Sequence, residues 1–204
     1  MPIQQPTQQE VLAFGNRIKE TGLEYRVEPF KLRAGGESHW YFDGRQVLAE
    51  PSNLKTASQF VLAKAAERGM TFNAVAGMGV GGTALSHGTV HVGTELGMRL
   101  YFVDGEDSVS PGQRYGYGLH GLVVSHDTDV LVVDDTASTG DSLETLMSMI
   151  DKARGHIVGA IALLDRSEGS VTTRLAARSN PVEFHSLYDF HEDTGAIIPS
   201  GVAA

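Results

Sequence analysis

The stretch that most restricts what this chain can fold into is Val130-Leu131-Val132-Val133-Asp134-Asp135-Thr136-Ala137-Ser138-Thr139-Gly140-Asp141-Ser142-Leu143. Four apolar residues in succession, with no polar alternation, describe a strand covered on both faces. Strands of that kind belong to parallel sheets whose crossover helices lie on either side. Two carboxylates close the strand, and a turn of small hydroxyl residues opens a helix from about Ser142 to Ala153.

Such a strand needs neighbours, and the chain supplies them. The pattern predicts a helix from about Thr7 to Thr21, with Thr7 as N-cap, Gly22 as stop, and Val11, Leu12, Phe14 and Ile18 on one face. Two short strands follow, Tyr25 to Leu32 and Ser38 to Phe42, joined by a turn at Ala34-Gly35-Gly36. Then come a helix from about Ser52 to Arg68, a strand Ala74 to Ala76, a helix from about Thr83 to Leu96, and strands Leu100 to Val103, Val130 to Val133 and Ile157 to Leu164. The fold class is α/β: a mainly parallel central sheet flanked by helices, with a small N-terminal hairpin hood over about residues 22–50. A chain of 204 residues, 41% of them hydrophobic, fits one core and one domain spanning 1–204.

Ligands of such sheets sit beyond the carboxyl ends of the strands. Gly77 to Gly82, Asp104 to Leu119 and Asp134 to Ser142 should therefore converge on one cleft. The segment from Asp104 to about Leu119 is polar, glycine-rich and long for a connection, and it reads as a mobile flap over that cleft.

Composition narrows the partners. The net charge of −9 argues against broad contact with nucleic acid, which needs clustered Lys and Arg. There is no cysteine, so disulfides, zinc–thiolate sites and cysteine nucleophiles are excluded, and a reducing cytoplasm suits the chain. Neither a signal peptide nor a run of about 18 apolar residues is present, so the reading is a soluble protein without a membrane partner.

A small anion is still compatible with an acidic protein, because backbone N–H groups at a helix start hold phosphate locally. Thr136, Ser138, Thr139 and Ser142 offer hydroxyls, and Gly140 lets the backbone approach closely. Asp134 and Asp135 would repel a phosphate laid on them but accept well from the vicinal hydroxyls of a sugar. A sugar phosphate satisfies both halves. The plainer reading is a strand-to-helix turn in which Asp141 or Thr139 only caps the helix.

This run resembles the phosphoribosyl-pyrophosphate motif of type I phosphoribosyltransferases: four apolar residues, two acids, then a Thr/Ser-rich loop with a Thr-Gly pair. The resemblance extends from about Phe14 to Tyr188, and its closest form is orotate phosphoribosyltransferase. It implies that Asp134 and Asp135 hold the ribose 2- and 3-hydroxyls, and that Thr136, Ala137, Ser138, Thr139, Gly140 and Ser142 hold the 5-phosphate. Ala76 to Thr83 is similar to the family's pyrophosphate loop and implies that role for Gly79, Gly81 and Gly82. Phe30 to Asp43 is similar to the early hairpin that shapes the base pocket, which implies that Arg33, Tyr41 and Phe42 face the base. Leu163 to Gly169 looks like the segment whose arginine pairs with the orotate carboxylate, here Arg166; the plainer reading of Arg166 is an ion pair with Asp165 or Glu168. The activity implied is transfer of phosphoribose from phosphoribosyl pyrophosphate to a nucleobase, orotate first, with Mg2+ and in a homodimer whose flap crosses to its partner.

The chain departs from that family at its cations. Asp104-Gly105 stands where those enzymes carry an Arg-Lys pair, Gly81 stands where another Lys is frequent, and no lysine occurs between Lys64 and Lys152. Arg114 is the one cation of the flap and becomes the third catalytic candidate beside Asp134 and Asp135. Two function classes are open on this reading, a transferase and a phosphoribosyltransferase-fold binding or regulatory protein. His87 and His91, at i and i+4, form a metal-ligand pair or a packed pair; Tyr115, Tyr117 and His120 contact a ligand or anchor the flap.

Overall fold

The computed structural model describes residues 3–31, 36–106 and 118–201. Its elements run α1 (Gln8–Gly22), β1 (Leu23–Lys31), β2 (Glu37–Phe42), α2 (Gly44–Ala49), α3 (Pro51–Glu67), β3 (Ala74–Met78), α4 (Gly79–Glu95), β4 (Tyr101–Gly105) and β5 (Leu119–Gly121). They continue with β6 (Asp129–Ala137), α5 (Asp141–Lys152), β7 (His156–Asp165), α6 (Ser170–Ala176), β8 (Phe184–His191) and β9 (Ala196–Pro199).

Seven strands form one sheet in the order β5-β4-β3-β6-β7-β8-β9. The inner five are parallel, and the edges β5 and β9 pair antiparallel to β4 and β8. The hood is the separate antiparallel pair of β1 and β2. The expected mainly parallel α/β sheet with a small N-terminal hairpin is therefore what the chain forms.

Alternation along β6 shows how the sheet is covered. Leu131 and Val133 belong to the core beneath α1, α3 and α4, with Phe14, Ile18, Phe60, Leu62 and Leu85. Val130 and Val132 belong to the opposite core beneath α5 and α6, with Leu143, Leu146, Met147, Ile150 and Leu175. Both faces of the strand are buried, which is why its sequence shows no polar alternation.

Order reverses beside β3. The chain leaves β3 through α4 to β4 on one side and returns as β6 on the other, so the carboxyl ends of β3 and β6 open on a crevice flanked by α4 on one face and α5 on the other.

Several boundaries differ from the sequence reading. β6 continues through Asp134 and Asp135 to Ala137, because residues 134, 136 and 137 keep pairing with β7. α4 begins at Gly79 rather than near Thr83, so the glycine-rich segment is the first turn of a helix. α2, β5, α6, β8 and β9 were not anticipated; they are short, or lack a clean apolar period. Leu12 is 51% exposed rather than on the buried face of α1, which is formed by Phe14, Gly15, Ile18 and Gly22. The hairpin turn at 34–35 and most of the flap, 107–117, lie outside the described residues. Among the described residues no helix is long and apolar enough to cross a membrane.

Tyr188 ties the first helix to the sheet. It is fully buried on β8, its ring lies against Gly15 and edge-on to Phe14, and its hydroxyl donates to the Val11 carbonyl at 2.7 Å. Burial pushes that phenol far above its usual range, so it stays a donor at every working pH. Tyr188→Phe is expected to cost about 1 kcal/mol, read as a thermal midpoint lowered by roughly 2–4 °C, with the secondary structure unchanged by circular dichroism.

Candidate functional site

Asp134 and Asp135 sit near the end of β6, side by side; Asp134 is 7% exposed and Asp135 is part-buried. The Asp135 N–H donates to Asp134 Oδ1 at 2.9 Å. The seat that holds them is made of missing side chains. A Cβ on Gly81 or on Gly44 would overlap the Asp135 carboxylate, and a Cβ on Gly82 would come within 3.1 Å of Asp134 Oδ1. α2 and α4 can therefore press their first turns against the acid pair only because those positions are glycine.

Burial pushes both carboxyls upward, Asp134 well above the usual carboxylate range. For Asp134 the neighbouring Asp135 charge adds to burial, and for Asp135 the nearby Asp43 adds less. Two adjacent acids with so little water do not ionise together without added positive charge or hydrogen-bond donors. That is the electrostatic profile of a site completed by a hydroxyl-rich, cation-bearing ligand.

Helix starts supply the complementary half. α1, α2 and α3 are capped by their own side chains, Thr7, Asp43 and Glu50. α4 and α5 begin at the crevice from Met78 and Gly140, and neither N-cap makes a side-chain bond. Apart from the Asp141 N–H, which donates to Thr139, their first-turn N–H groups are presented where the two strands diverge, with the positive end of each helix dipole. Gly140 takes φ 77°, which lets the chain turn from β6 into α5 without a Cβ clash.

Between strand and helix, Thr139 donates to Asp141 Oδ2 at 2.9 Å and accepts from the Asp141 N–H at 3.2 Å. Arg174 on α6 donates to the Thr139 carbonyl at 2.8 Å and to Asp141 Oδ1 at 2.6 Å. The carboxylate of Asp141, which would repel an anion in this turn, is offset by that guanidinium. Arg174 also fixes the loop backbone. Thr136 and Thr139 are part-exposed, Ser138 and Ser142 are exposed, and Ala137 and Gly140 are buried.

The hood residues separate. Phe42 is 9% exposed and packed in the core against Gly22, as strand alternation requires, so its expected place on the base is corrected to a structural one. Tyr41 is half-buried, with the Arg26 guanidinium 4.3 Å over its ring and Phe30 edge-on. Arg166 leaves the end of β7 with its N–H on the Ala137 carbonyl, at 2.7 Å, and bonds Glu192 rather than Asp165 or Glu168. Gly79, Gly81 and Gly82 all lie in the first turn of α4. Arg33 and Arg114 lie outside the described residues, as do Tyr115 and Tyr117.

At the family's cation positions, Asp104 accepts from His87 Nε2 at 2.9 Å, and a Cβ on Gly105 would lie 2.7 Å from Leu146 Cδ1. A side chain at residue 105 would have to displace the Leu146 methyl. His87 is thus paired with Asp104 and His91 with Glu95 at 3.4 Å, and among the described residues no group of three or more metal-type side chains forms. His120 bonds Glu106 at 3.0 Å. A cavity of about 880 Å³ lies elsewhere, along β8 and β9, and none of the acid-pair or turn residues lines it. Sequence reasoning missed Gly44, Arg174, Trp40 and Glu192. Of these only Gly44, directly after the capping Asp43, carries a local signal.

Comparison with known proteins gives a consistent result. No family model matches the chain. It is 32% identical over 142 residues to an orotate phosphoribosyltransferase of Pelotomaculum thermopropionicum, covering 70% of this chain and 69% of that one. Its fold matches that of Mycobacterium tuberculosis H37Rv orotate phosphoribosyltransferase, solved with Fe(III) dicitrate, with TM-score 0.72, 18% identity, and 87% and 94% of the two chains covered. The same enzyme solved with 5-phospho-alpha-D-ribosyl 1-diphosphate matches with TM-score 0.69, 17% identity and 90% of each chain covered.

The buried acids make a test of the seat. A carboxyl whose folded pKa is raised stabilises the protein below its unfolded value, and that contribution is lost as pH rises through the folded value. Asp134→Asn removes the loss. The variant is expected to be more stable than the parent at about pH 8 and to lose that advantage near pH 4. Thermal unfolding across pH checks this, and a gap that does not widen with pH would mean the carboxyl is not held in its neutral form.

Proposed function

The chain belongs to the orotate phosphoribosyltransferase family, and from that premise we propose that it transfers the phosphoribosyl group of phosphoribosyl pyrophosphate to orotate, releasing pyrophosphate. The observation that carries this reading is the buried pair Asp134 and Asp135 set between two helix starts that lack side-chain caps. One sugar phosphate with a pyrophosphate at its anomeric carbon meets all three features at once.

In this assignment Asp134 and Asp135 accept from the ribose hydroxyls. The α5 start, with Thr136, Ala137, Ser138, Thr139, Gly140 and Ser142, takes the 5-phosphate, and the α4 start, through Gly79, Gly81 and Gly82, takes pyrophosphate oxygens. The bond from the anomeric carbon to pyrophosphate breaks as a ring nitrogen of the base approaches the opposite side of the sugar. The protein's part is positioning and charge stabilisation, with little proton transfer. Tyr41 and Arg33 border the base from the hood, Arg166 takes its carboxylate, and Arg114 adds positive charge when the flap closes.

Magnesium fits the donor set. The acids are hard oxygen donors, suited to an ion that keeps most of its waters. Asp134 and Asp135 would hold it, and when bound it would supply charge neutralisation for the leaving group. On the family's pattern we read the working unit as a cytoplasmic homodimer.

One observation favours a second reading, a protein that binds the sugar phosphate without efficient transfer: Asp104 and Gly105 replace a cation pair, and packing against Leu146 keeps residue 105 bare. Incubation with magnesium, phosphoribosyl pyrophosphate and orotate separates the two. Pyrophosphate and orotidine 5′-monophosphate are expected together; binding of phosphoribosyl pyrophosphate with no pyrophosphate released under any base selects the second reading.

Asp134→Asn combined with Asp135→Asn is expected to weaken phosphoribosyl pyrophosphate by roughly tenfold or more, since two charged acceptors are lost, measured by calorimetry. Arg114→Ala is expected to lower turnover by roughly 10²-fold, the scale of one preorganised donor, with ground-state affinity changed far less. Full turnover in that variant would remove Arg114 from the machinery.

A further inference from the structure

Arg166 does not stand free in its place beside the phosphate turn. Its side chain is 9% exposed, and its Nη2 donates to Glu192 Oε2 at 2.9 Å, to the Trp40 carbonyl at 3.1 Å and to Ser38 Oγ at 3.4 Å. The guanidinium also lies 4.5 Å over the ring of Phe190. Every hydrogen bond of its side chain among the described residues runs through that one nitrogen, so the edge formed by Nε and Nη1 is the one left for a ligand.

Glu192 is held as firmly. The hydroxyl of Ser38, a residue 2% exposed, donates to Glu192 Oε1. The turn that carries Glu192 is pinned to the hood, because Trp40 packs on Gly195, where any Cβ would overlap the indole. The glutamate keeps 32% exposure and borders the 880 Å³ cavity along β8 and β9. The charge of Arg166 is therefore offset from within the chain before any substrate arrives.

We propose that Glu192 is a specificity-determining residue, whose carboxylate on Arg166 weakens selection for a carboxylated base. This rests on the assignment of Arg166 to the base, made above. A base carboxylate on the Nε edge meets a guanidinium already neutralised, and faces a second carboxylate across it; like charges set around one cation oppose each other. A base without that carboxylate incurs no such cost. Glu192 thus sets how far the pocket distinguishes the two, and its room toward the cavity lets the carboxylate move back as a charged base enters.

The test compares orotidine 5′-monophosphate with uridine 5′-monophosphate, which share the ribose phosphate and differ in the 6-carboxylate. Affinities are measured by calorimetry on the full chain and on Glu192→Gln, whose amide keeps one acceptor oxygen, for Ser38 or Arg166, and drops the charge. The variant is expected to bind orotidine 5′-monophosphate roughly tenfold tighter than the parent, and uridine 5′-monophosphate within threefold of it. Equal shifts for the two nucleotides, or no gain for the carboxylated one, would overturn the proposal and leave Glu192 as a strut between hood and sheet. Should the glutamine variant not fold, Glu192→Met gives the same comparison. A parent chain that binds neither nucleotide would sink the ribose-phosphate reading itself, and this proposal with it.

Discussion

The structure depends on placing two adjacent carboxylates at the end of a fully buried strand. Among the described residues neither acid has a cationic partner, and burial drives both toward the neutral form, so the folded chain carries an unfavourable interaction in its interior. The surroundings are arranged to tolerate it. Val130 to Val133 fill both faces of the sheet and hold β6 rigid, while Gly44, Gly81 and Gly82 let two helices close over the carboxylates. On the proposed reading, that local cost keeps a pair of sugar acceptors fixed for a charged, hydroxyl-bearing ligand.

That arrangement explains the helix starts as well. On the proposed reading, an N-cap side chain at α4 or α5 would take first-turn N–H groups from a phosphate; α1, α2 and α3 carry such caps, while α6, which starts from Gly169, does not. Anion binding in a chain of net charge −9 would then come from backbone geometry rather than from lysines. Arg174 serves the same end indirectly, by offsetting Asp141 and holding the Thr139 carbonyl.

Most of the parallel sheet and the central turn were legible because their signals are local. An uninterrupted apolar run, Thr7 in a capping box with Glu10, and the strand-turn-helix around Gly140 each lie within a few residues. The rest was distributed over the chain. Gly81 and Gly82 read as a loop offering N–H groups; their lack of side chains proves equally necessary to seat Asp134 and Asp135, some fifty residues on, and no local pattern encodes that packing. Phe42 looked like a base-facing aromatic beside Tyr41, yet the alternation of β2 sends one of any two neighbours inward. The partner of Arg166 was sought at Asp165 and Glu168, its sequence neighbours, and found at Glu192, in the turn after a strand that was not anticipated.

The departures at the family's cation positions are best understood through the same packing logic. Gly105 is bare because Leu146 on α5 occupies the space a side chain would need, and Asp104 is turned to His87 on α4. A single exchange to lysine at either position would therefore not recreate a cation at the pyrophosphate. At 105 it would collide with the core that positions the phosphate-binding helix, and at 104 it would break the pairing with His87. On the proposed function, positive charge for the leaving group is therefore supplied from outside that packed floor.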